Sequence, residues 1–145
     1  TVVEDSGTAI TYTFTLSAAA TASTTINFTV GGTATFPSDY SVSGTASFTA
    51  TTGSIVMPNG ASTAAFTATP IADTTVETLE SIEIMIDSGT GYIGGSPNDA
   101  TATISNDDTS MSDPLVAITG LTHVTPDSVP ALWAPLPINH LTIQH

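Results

Sequence analysis

The stretch Ser81-Ile-Glu-Ile-Met-Ile-Asp87 decides the fold of this chain. Its three isoleucines alternate with Glu83, Met85 and Asp87, so apolar side chains fall on one face of an extended segment. A period of two residues is typical of a β-strand with one face in the core and one face in solvent. We therefore predict a strand here, and we interpret Glu83 and Asp87 as surface residues that take no part in a binding site.

The same alternation recurs along the first two-thirds of the chain. Apolar residues alternate with polar ones from Ile10 to Leu16 and from Thr25 to Val30, and Phe66 is predicted to point inward from a later segment. Asn59-Gly60 is the dipeptide most typical of a β-hairpin turn. No segment has the period of an amphipathic helix. The predicted strands cover residues 10–16, 25–30, 46–50, 53–58, 64–71, 82–87 and 100–104.

About seven short strands in roughly 108 residues predict an all-β domain, an immunoglobulin-like β-sandwich over residues 1–108. The composition changes after Asp108, because residues 109–145 contain five of the nine prolines and the only tryptophan, Trp133. We predict that residues 109–145 form a Pro-rich tail or linker, mostly extended. It would contain one or two short strands, at Leu115–Ile118 and around Leu141–Ile143.

The charge of the chain excludes several functions. The 145 residues include 13 acidic side chains and no Lys or Arg, which gives a net charge of −13. Nucleic-acid binding depends on cationic contacts to phosphate, and anionic membrane surfaces repel an acidic chain, so we predict neither partner. There is no Cys, hence no disulfide. A protein without Lys or Arg offers trypsin-like proteases no cleavage site, which favours an extracellular or cell-surface location.

No set of residues typical of an enzyme is present. The sequence has no Gly-x-Ser-x-Gly motif, and all three histidines fall after residue 109. Paired carboxylates alone are compatible with a glycosidase, but such enzymes need a cleft lined by aromatic residues, and only 6% of this chain is aromatic. We predict that the protein is not an enzyme.

The acidic residues instead indicate a cation site. The segment Ile71–Glu80 places three acids close together, and others stand at predicted strand ends, at Glu4-Asp5, at Asp39 and at Asp107-Asp108. Since the chain has no basic side chain to neutralise them, a hard cation is the natural partner, and calcium binds through six to eight such oxygens. The alternative is that these acids are solvated loop residues that never converge.

Five phrases in order resemble the Calx-beta domain, a family named for the regulatory domains of sodium–calcium exchangers. The resemblance covers about residues 1–108 and leaves the tail unexplained. It implies a Greek-key sandwich whose acidic loops bind calcium at one end in some members. The phrases are Val3-Glu-Asp-Ser-Gly7, Gly32-Thr-Ala-Thr-Phe-Pro-Ser-Asp-Tyr40, Gly53-Ser-Ile-Val-Met-Pro-Asn-Gly60, Pro70-Ile-Ala-Asp-Thr-Thr-Val-Glu-Thr-Leu-Glu80 and Ala102-Thr-Ile-Ser-Asn-Asp-Asp108.

The resemblance also implies a set of calcium ligands. Two positions depart from it: Ala72 and Asn106 stand where calcium-binding members often carry Asp. An Asn carbonyl oxygen still ligates and an Ala side chain does not, so we expect a reduced site with fewer or more weakly held Ca²⁺ ions. The implied ligands are Glu4, Asp39, Asp73, Glu77, Glu80, Asn106, Asp107 and Asp108.

Three functions follow as hypotheses. The first is an extracellular structural or adhesive module stabilised by calcium. In one variant, Leu115–Ile118 or Leu141–Ile143 adds as a strand to an open edge of a neighbouring copy or module and links the copies into a head-to-tail filament. The second is a calcium-regulated binding or sensor module. The third is a carbohydrate-binding module, with Trp133 as its aromatic platform.

Overall fold

Nine β-strands and one short 3-10 helix make up residues 1–109, the part of the chain that the computed structural model describes. The helix is Glu4–Ser6, between the first two strands. The strands are β1 (Val2–Val3), β2 (Ile10–Thr15), β3 (Thr24–Gly32), β4 (Tyr40–Ser43), β5 (Ser47–Phe48), β6 (Thr52–Met57), β7 (Thr63–Pro70), β8 (Glu80–Ile86) and β9 (Asp99–Ser105).

The strands form two sheets. One sheet has the order β1-β9-β8-β3-β6-β5 and the other has the order β2-β7-β4. Neighbouring strands are antiparallel, except that β1 runs parallel to β9. This arrangement confirms the predicted all-β sandwich, and it makes β2 and β4 the edges of the smaller sheet.

An aromatic core joins the two sheets. Phe28 of β3 has no exposed surface, and its ring centre lies 5.4 Å from those of Phe14 and Phe66 in the opposite sheet. The Tyr12 hydroxyl donates a hydrogen bond of 2.9 Å to the carbonyl oxygen of Ile82, so the core also satisfies its polar group. Phe66 is 2% exposed, as its inward position in the sequence predicts.

The strand that contains Ile84 forms as the alternation predicts. Ile82 and Ile84 are 0% and 3% exposed, whereas Glu83 lies on the solvent face. Two strands are additional to the predicted set, β1 and β4, and β5 is shorter than predicted. Strands of two to four residues contain too few alternating positions for a period of two to be recognised in the sequence.

The predicted hairpin at Asn59-Gly60 is wrong. The turn itself forms, and Gly60 adopts a left-handed φ of 83°. However, β6 before it belongs to the six-stranded sheet and β7 after it belongs to the three-stranded sheet, so the turn carries the chain between sheets. The Gly60 amide donates to the carbonyl oxygen of Ala20, 2.7 Å away, which anchors the turn to a neighbouring loop.

The two strands predicted within residues 109–145 lie outside the described residues. Within residues 1–109, the structure contains no helix with the length and hydrophobicity that a membrane span requires.

Candidate metal centre

One end of the sandwich, called here the acidic pole, collects acidic residues from four segments. Each segment either precedes or follows a strand at this end, so the strand pairing sets which segments meet. The acidic pole consists of Glu4, Asp5, Asp39, Asp73, Glu77, Glu80, Asn106, Asp107 and Asp108.

The parallel pairing of β1 and β9 brings the first and last of these segments together. Val3 pairs with Ser105, so the chain leaves the two strands side by side, at Glu4 and at Asn106. The Asp5 amide lies 3.4 Å from Asp107 Oδ1, at the long end of the hydrogen-bond range. Glu4 is only 4% exposed, although it stands in a surface helix of three residues.

Two antiparallel pairings place the other segments at the same end. Tyr40 pairs with Pro70, and the Ile71 amide donates a 3.0 Å hydrogen bond to the carbonyl oxygen of Asp39. Glu80 pairs with Ile104, two residues before Asn106. The loop of residues 71–79 therefore leaves β7 beside Asp39 and enters β8 beside the end of β9.

Asn106 fixes the 71–79 loop against β9. Its Nδ2 donates to the carbonyl oxygen of Thr75 across 2.9 Å. The Thr75 amide in turn donates to Asp73 Oδ1, 2.5 Å away, which closes a tight turn within the loop. Because the nitrogen of the Asn106 amide is used in this way, its carbonyl oxygen is the atom that would face a cation.

Asp39 is held by its own loop. Its Oδ2 accepts a 2.6 Å hydrogen bond from the Thr35 amide, and its Oδ1 accepts one of 2.5 Å from the Ser38 hydroxyl. These bonds fix the carboxylate at the start of β4, next to Tyr40. Burial, followed by the nearby Asp39 charge, raises the pKa of the Tyr40 hydroxyl.

The electrostatic centre of the acidic pole is Glu80. Burial is the largest cause that raises the pKa of its carboxyl group to about 7, and repulsion by Asp39 and Glu77 adds to it. The neighbouring Asp39 carboxyl group also favours the protonated form of Glu80, and the charge of Glu4 makes the smallest contribution. At neutral pH this carboxyl group is therefore partly protonated when no cation is bound.

Three further carboxyl groups show the same pattern. Burial raises the pKa of Glu4, and the charges of Asp73 and Glu77 raise it further. The pKa values of Glu77 and Asp108 are also raised, by desolvation first and then by neighbouring carboxylates. Every cause is a loss of water or a like charge, and the chain has no Lys or Arg to oppose them.

Two oxygen atoms of the acidic pole are buried without a hydrogen-bond partner among the described residues. They are Oε2 of Glu80 and Oδ2 of Asp108. An unpaired buried carboxylate oxygen is costly, and a bound cation is one of the few partners that satisfy it. Hard oxygen donors with no competing Lys or Arg are the ligands that Ca²⁺ prefers, so the residues present fit this ion.

The carboxylates are gathered but not yet converged. Among residues 1–109, no group of three or more acidic or histidine side chains has an arrangement that could hold a metal ion. Repulsion opposes a closer approach without a cation, since two carboxylates 4 Å apart repel by about 4 kcal/mol at an effective dielectric of about 20. Asp39 and Asp73 instead accept hydrogen bonds from their own loops.

The structure brings all eight predicted ligands to the acidic pole, and their role as calcium ligands stays a prediction. Asp5 joins them although it is absent from the implied ligand set, and the parallel register of β1 and β9 is what places it there. This register depends on the two residues of β1, and two residues are too few to show an alternating pattern in the sequence. Ala72 is exposed in the 71–79 loop and offers no side-chain ligand, consistent with its identity.

The fold is that of known calcium-binding domains. The chain is similar to the calcium-binding domain CBD12 of CALX1.1, with 21% identity and a TM-score of 0.57, and to CBD12 of CALX1.2, with 22% and 0.56. It is also similar to the apo form of the Calx CBD1 domain, with 20% identity and a TM-score of 0.52.

Each similarity covers 74% of this chain. The match spans 41% and 40% of the two CBD12 chains and 88% of the CBD1 chain. No protein-family model matches the sequence, and a search of curated proteins finds no match. At this identity the similarities show a shared fold, the Calx-type β-sandwich.

Proposed function

We propose that residues 1–108 form a calcium-binding β-sandwich module in which Ca²⁺ binds the acidic pole. The observation that carries the proposal is the pair of buried, unpartnered oxygens on Glu80 and Asp108. They lie among acids whose pKa values are raised, in a chain of net charge −13 without Lys or Arg. The proteins whose fold this chain shares include domains named for calcium binding, which supports the same ion.

The ion would supply the positive charge that the chain lacks. Glu80, Asp108 and Glu4 would contribute the buried carboxylates, and Asp39 the carboxylate anchored at β4. Asp73, Glu77 and Asp107 would contribute from the two exposed segments, and Asn106 through its carbonyl oxygen. Ligands must be deprotonated, so binding at neutral pH would release the proton that Glu80 partly holds.

This arrangement supports a calcium-regulated module. The residues of the acidic pole come from segments far apart in the chain. Two of these segments are the loops of residues 33–39 and 71–79, and in each loop an aspartate accepts a hydrogen bond from an amide of the same loop. A cation that draws their carboxylates together would change the position and stiffness of both loops. Calcium would thus act on the shape of one end of the sandwich while the aromatic core stays fixed.

Calorimetry and thermal melting test the proposal on the full chain. We expect Ca²⁺ to bind with measurable heat, to release protons at pH 7, and to raise the melting temperature by several degrees relative to a chelator. At 100 times the dissociation constant, binding to the folded state alone adds about 2.7 kcal/mol to the unfolding free energy. Glu80→Gln and Asp108→Asn are expected to reduce this shift.

Glu83→Gln is the matched control, because Glu83 stands on the same strand as Glu80 but on the solvent face. It removes the same charge and is expected to leave the calcium response unchanged. Absence of both heat and melting shift in the unaltered protein would contradict the proposal, as would an equal loss of response in Glu83→Gln and Glu80→Gln.

A second candidate function is a subunit of an extracellular filament. One observation favours it: β1 covers only two of the seven residues of β9, which leaves most of that sheet edge free of a paired strand among the described residues. The lack of Lys and Arg is consistent with an extracellular or cell-surface protein. No feature of residues 1–109 favours carbohydrate binding, and Trp133 lies outside the described residues.

A further inference from the structure

The outer edge of β9 is open along most of its length. This strand has seven residues, Asp99–Ser105, and β1 pairs only with Ile104 and Ser105. Five residues, Asp99–Thr103, therefore have β8 on one side and no paired strand on the other within the described part of the chain. Such an edge presents unpaired backbone N–H and C=O groups to any strand that approaches it.

The burial of β9 shows that this edge lacks cover. Ala100, Ala102 and Ile104 lie on one face of the strand, since side chains repeat every two residues. Ile104, which stands beside β1, is 4% exposed, whereas Ala102 is half-buried and Ala100 is exposed. On this one face of β9, the side chains thus become more exposed with distance from the two residues that pair with β1.

A groove runs along the same flank, between β9 and the free edge of β2. Its volume is about 440 Å³, and it opens to solvent. Inward-facing apolar side chains of both sheets line it, including Ile10, Tyr12 and Ile84. A second depression of about 210 Å³ shares Phe14 and Ile86 with the groove and continues it toward the end of the sandwich opposite the acidic pole. The groove is therefore bordered by two strand edges and has an apolar floor.

We propose that this groove, called here the acceptor groove, binds an extended strand donated by a second copy of the chain, and that the donor is the segment Leu115–Ile118. Backbone hydrogen bonds to the open edge of β9 would hold the donor, and its apolar side chains would fill the floor. Strand addition to an exposed sheet edge is an established mode of peptide recognition.

The sequence of the donor segment matches the acceptor groove. Leu115–Ile118 is a stretch of four apolar residues without charge, and the open part of β9, five residues long, can accommodate it. Among the described residues, Asp99 is the one carboxylate in the lining of the groove, and an uncharged donor is not repelled by it. The other candidate, Leu141–Ile143, is one residue shorter.

A neighbouring copy is favoured as the source of the donor. The chain leaves β9 at Ser105, where β1 already occupies the outer edge, so a tight hairpin back along that edge would collide with β1. Nine residues separate Ser105 from Leu115, and these extend over about 33 Å at most. That reach exceeds the length of β9, about 23 Å at roughly 3.3 Å per residue, so donation within one chain is the competing outcome, and heterodimer trapping between separate chains distinguishes the two.

Donation between copies would produce a polymer. The donor and the acceptor groove are different surfaces, so the contact is heterologous, and a heterologous contact that does not close into a ring propagates head to tail. The groove lies on the flank of the sandwich and the proposed calcium site lies at the acidic pole. Assembly and calcium binding are therefore separate proposals, and either one can fail alone.

Disulfide trapping between separate chains tests the donor and the groove together. The natural chain has no Cys, so every disulfide comes from introduced residues. Full chains carrying Ala100→Cys are mixed with differently tagged full chains carrying Val116→Cys or Ala117→Cys, which sample both faces of the donor. We expect a heterodimer that disappears on reduction, because paired strands bring Cα atoms within the distance of about 4.4–6.8 Å that a disulfide requires.

Thr101→Cys is the matched control, because it is the neighbouring residue on the opposite face of β9. We expect the donor residue that traps with Ala100→Cys to give at least tenfold less heterodimer with Thr101→Cys, because paired strands place same-face residues opposite each other. Equal trapping of one donor residue at the two positions would overturn the proposal, and so would trapping with Thr142→Cys in place of residues 116 and 117. A protein that sediments as a monomer at all concentrations, or native mass spectrometry that finds a small apolar molecule in the groove, would also overturn it.

A second variant tests assembly without cysteine chemistry. Ala100→Glu places a charge on the floor of the acceptor groove at an exposed position, so the fold is expected to survive, and Thr101→Glu adds the same charge to the solvent face. Negative-stain imaging is expected to show filaments for the natural chain and Thr101→Glu and their loss in Ala100→Glu. Filaments of equal length in both variants would contradict strand donation.

Discussion

At the scale of single residues, Glu80 couples protonation to folding. Its pKa is raised from 4.5 to about 7 in the folded protein, chiefly by burial and then by Asp39 and Glu77. A carboxyl group with a raised folded-state pKa stabilises the fold fully below the unfolded value and loses this contribution as the pH rises through the folded value. The window for this carboxyl group is therefore between about pH 4.5 and 7.

We accordingly expect the calcium-free protein to become less stable as the pH rises from 5 to 8. One pKa unit corresponds to about 1.4 kcal/mol, and partial solvent screening reduces the effect, so a loss of about 1–2 kcal/mol is expected. Denaturant unfolding in chelator at several pH values measures it. Glu80→Gln should reduce the slope of the profile, although the raised pKa values of Glu4, Glu77 and Asp108 maintain part of it, and Glu83→Gln should leave it unchanged. A profile that rises with pH in chelator would contradict the assigned cause.

Gly53 is a second residue with a clear physical role. It pairs with Phe28 across β6 and β3, and a Cβ atom at this position would overlap the Phe28 ring, the buried centre of the core. We expect Gly53→Ala to reduce the unfolding free energy by about 1–3 kcal/mol or more, as overpacking does. Urea unfolding checks this, with Gly95→Ala as the control, since no atom lies within 4 Å of a Cβ there. Similar stabilities for the two variants would contradict the packing argument.

At the scale of elements, the sequence predicts the strands in which apolar and polar residues alternate several times. β8 has three buried or half-buried isoleucines at a period of two, and it forms as predicted. β1 has two residues and has no period, yet its pairing with β9 positions Glu4 and Asp5 in the acidic pole. The Asn59-Gly60 turn shows the other limit, because a local turn signal does not specify which sheet the next strand joins.

The 71–79 loop offers a gain-of-function test of the calcium site. Ala72 is exposed in this loop, one residue before Asp73, and it contributes no oxygen ligand. We expect Ala72→Asp to increase calcium affinity, by about tenfold if one carboxylate adds roughly 1.4 kcal/mol. Ser62→Asp adds the same charge at the other end of β7 and serves as the control. Calorimetry that shows equal affinity changes for both variants would indicate a general charge effect.

At the scale of the whole molecule, the gathering of acids was predictable and the shape of the site was not. Acids at strand ends, combined with a sandwich, imply that several loops meet at one pole, and this holds for all eight predicted positions. The distances between carboxylates depend on burial, on loop hydrogen bonds such as Thr75 to Asp73, and on mutual repulsion. None of these quantities follows from the order of residues along the chain.

The two ends of the sandwich should therefore respond differently to calcium. An ion bound at the acidic pole stabilises the closed form of this region against local unfolding. The opposite end is held by contacts that do not involve the ion. The amides of Asp5, Ile71 and Thr75 hydrogen-bond within the acidic pole, and those of Gly60 and Ala61 hydrogen-bond at the opposite end. Amides that exchange through local opening report these two regions separately.

Hydrogen exchange measured with calcium and with chelator gives the expected contrast. At 100 times the dissociation constant, we expect the acidic-pole amides that exchange by local opening to slow by about 100-fold, the factor that corresponds to about 2.7 kcal/mol. The exchange rates of the Gly60 and Ala61 amides should change little if these amides exchange by local opening. If they exchange by global unfolding instead, their exchange should become faster in the destabilised Gly53→Ala variant. Uniform slowing at both ends in the stable protein would contradict an ion bound at the acidic pole alone.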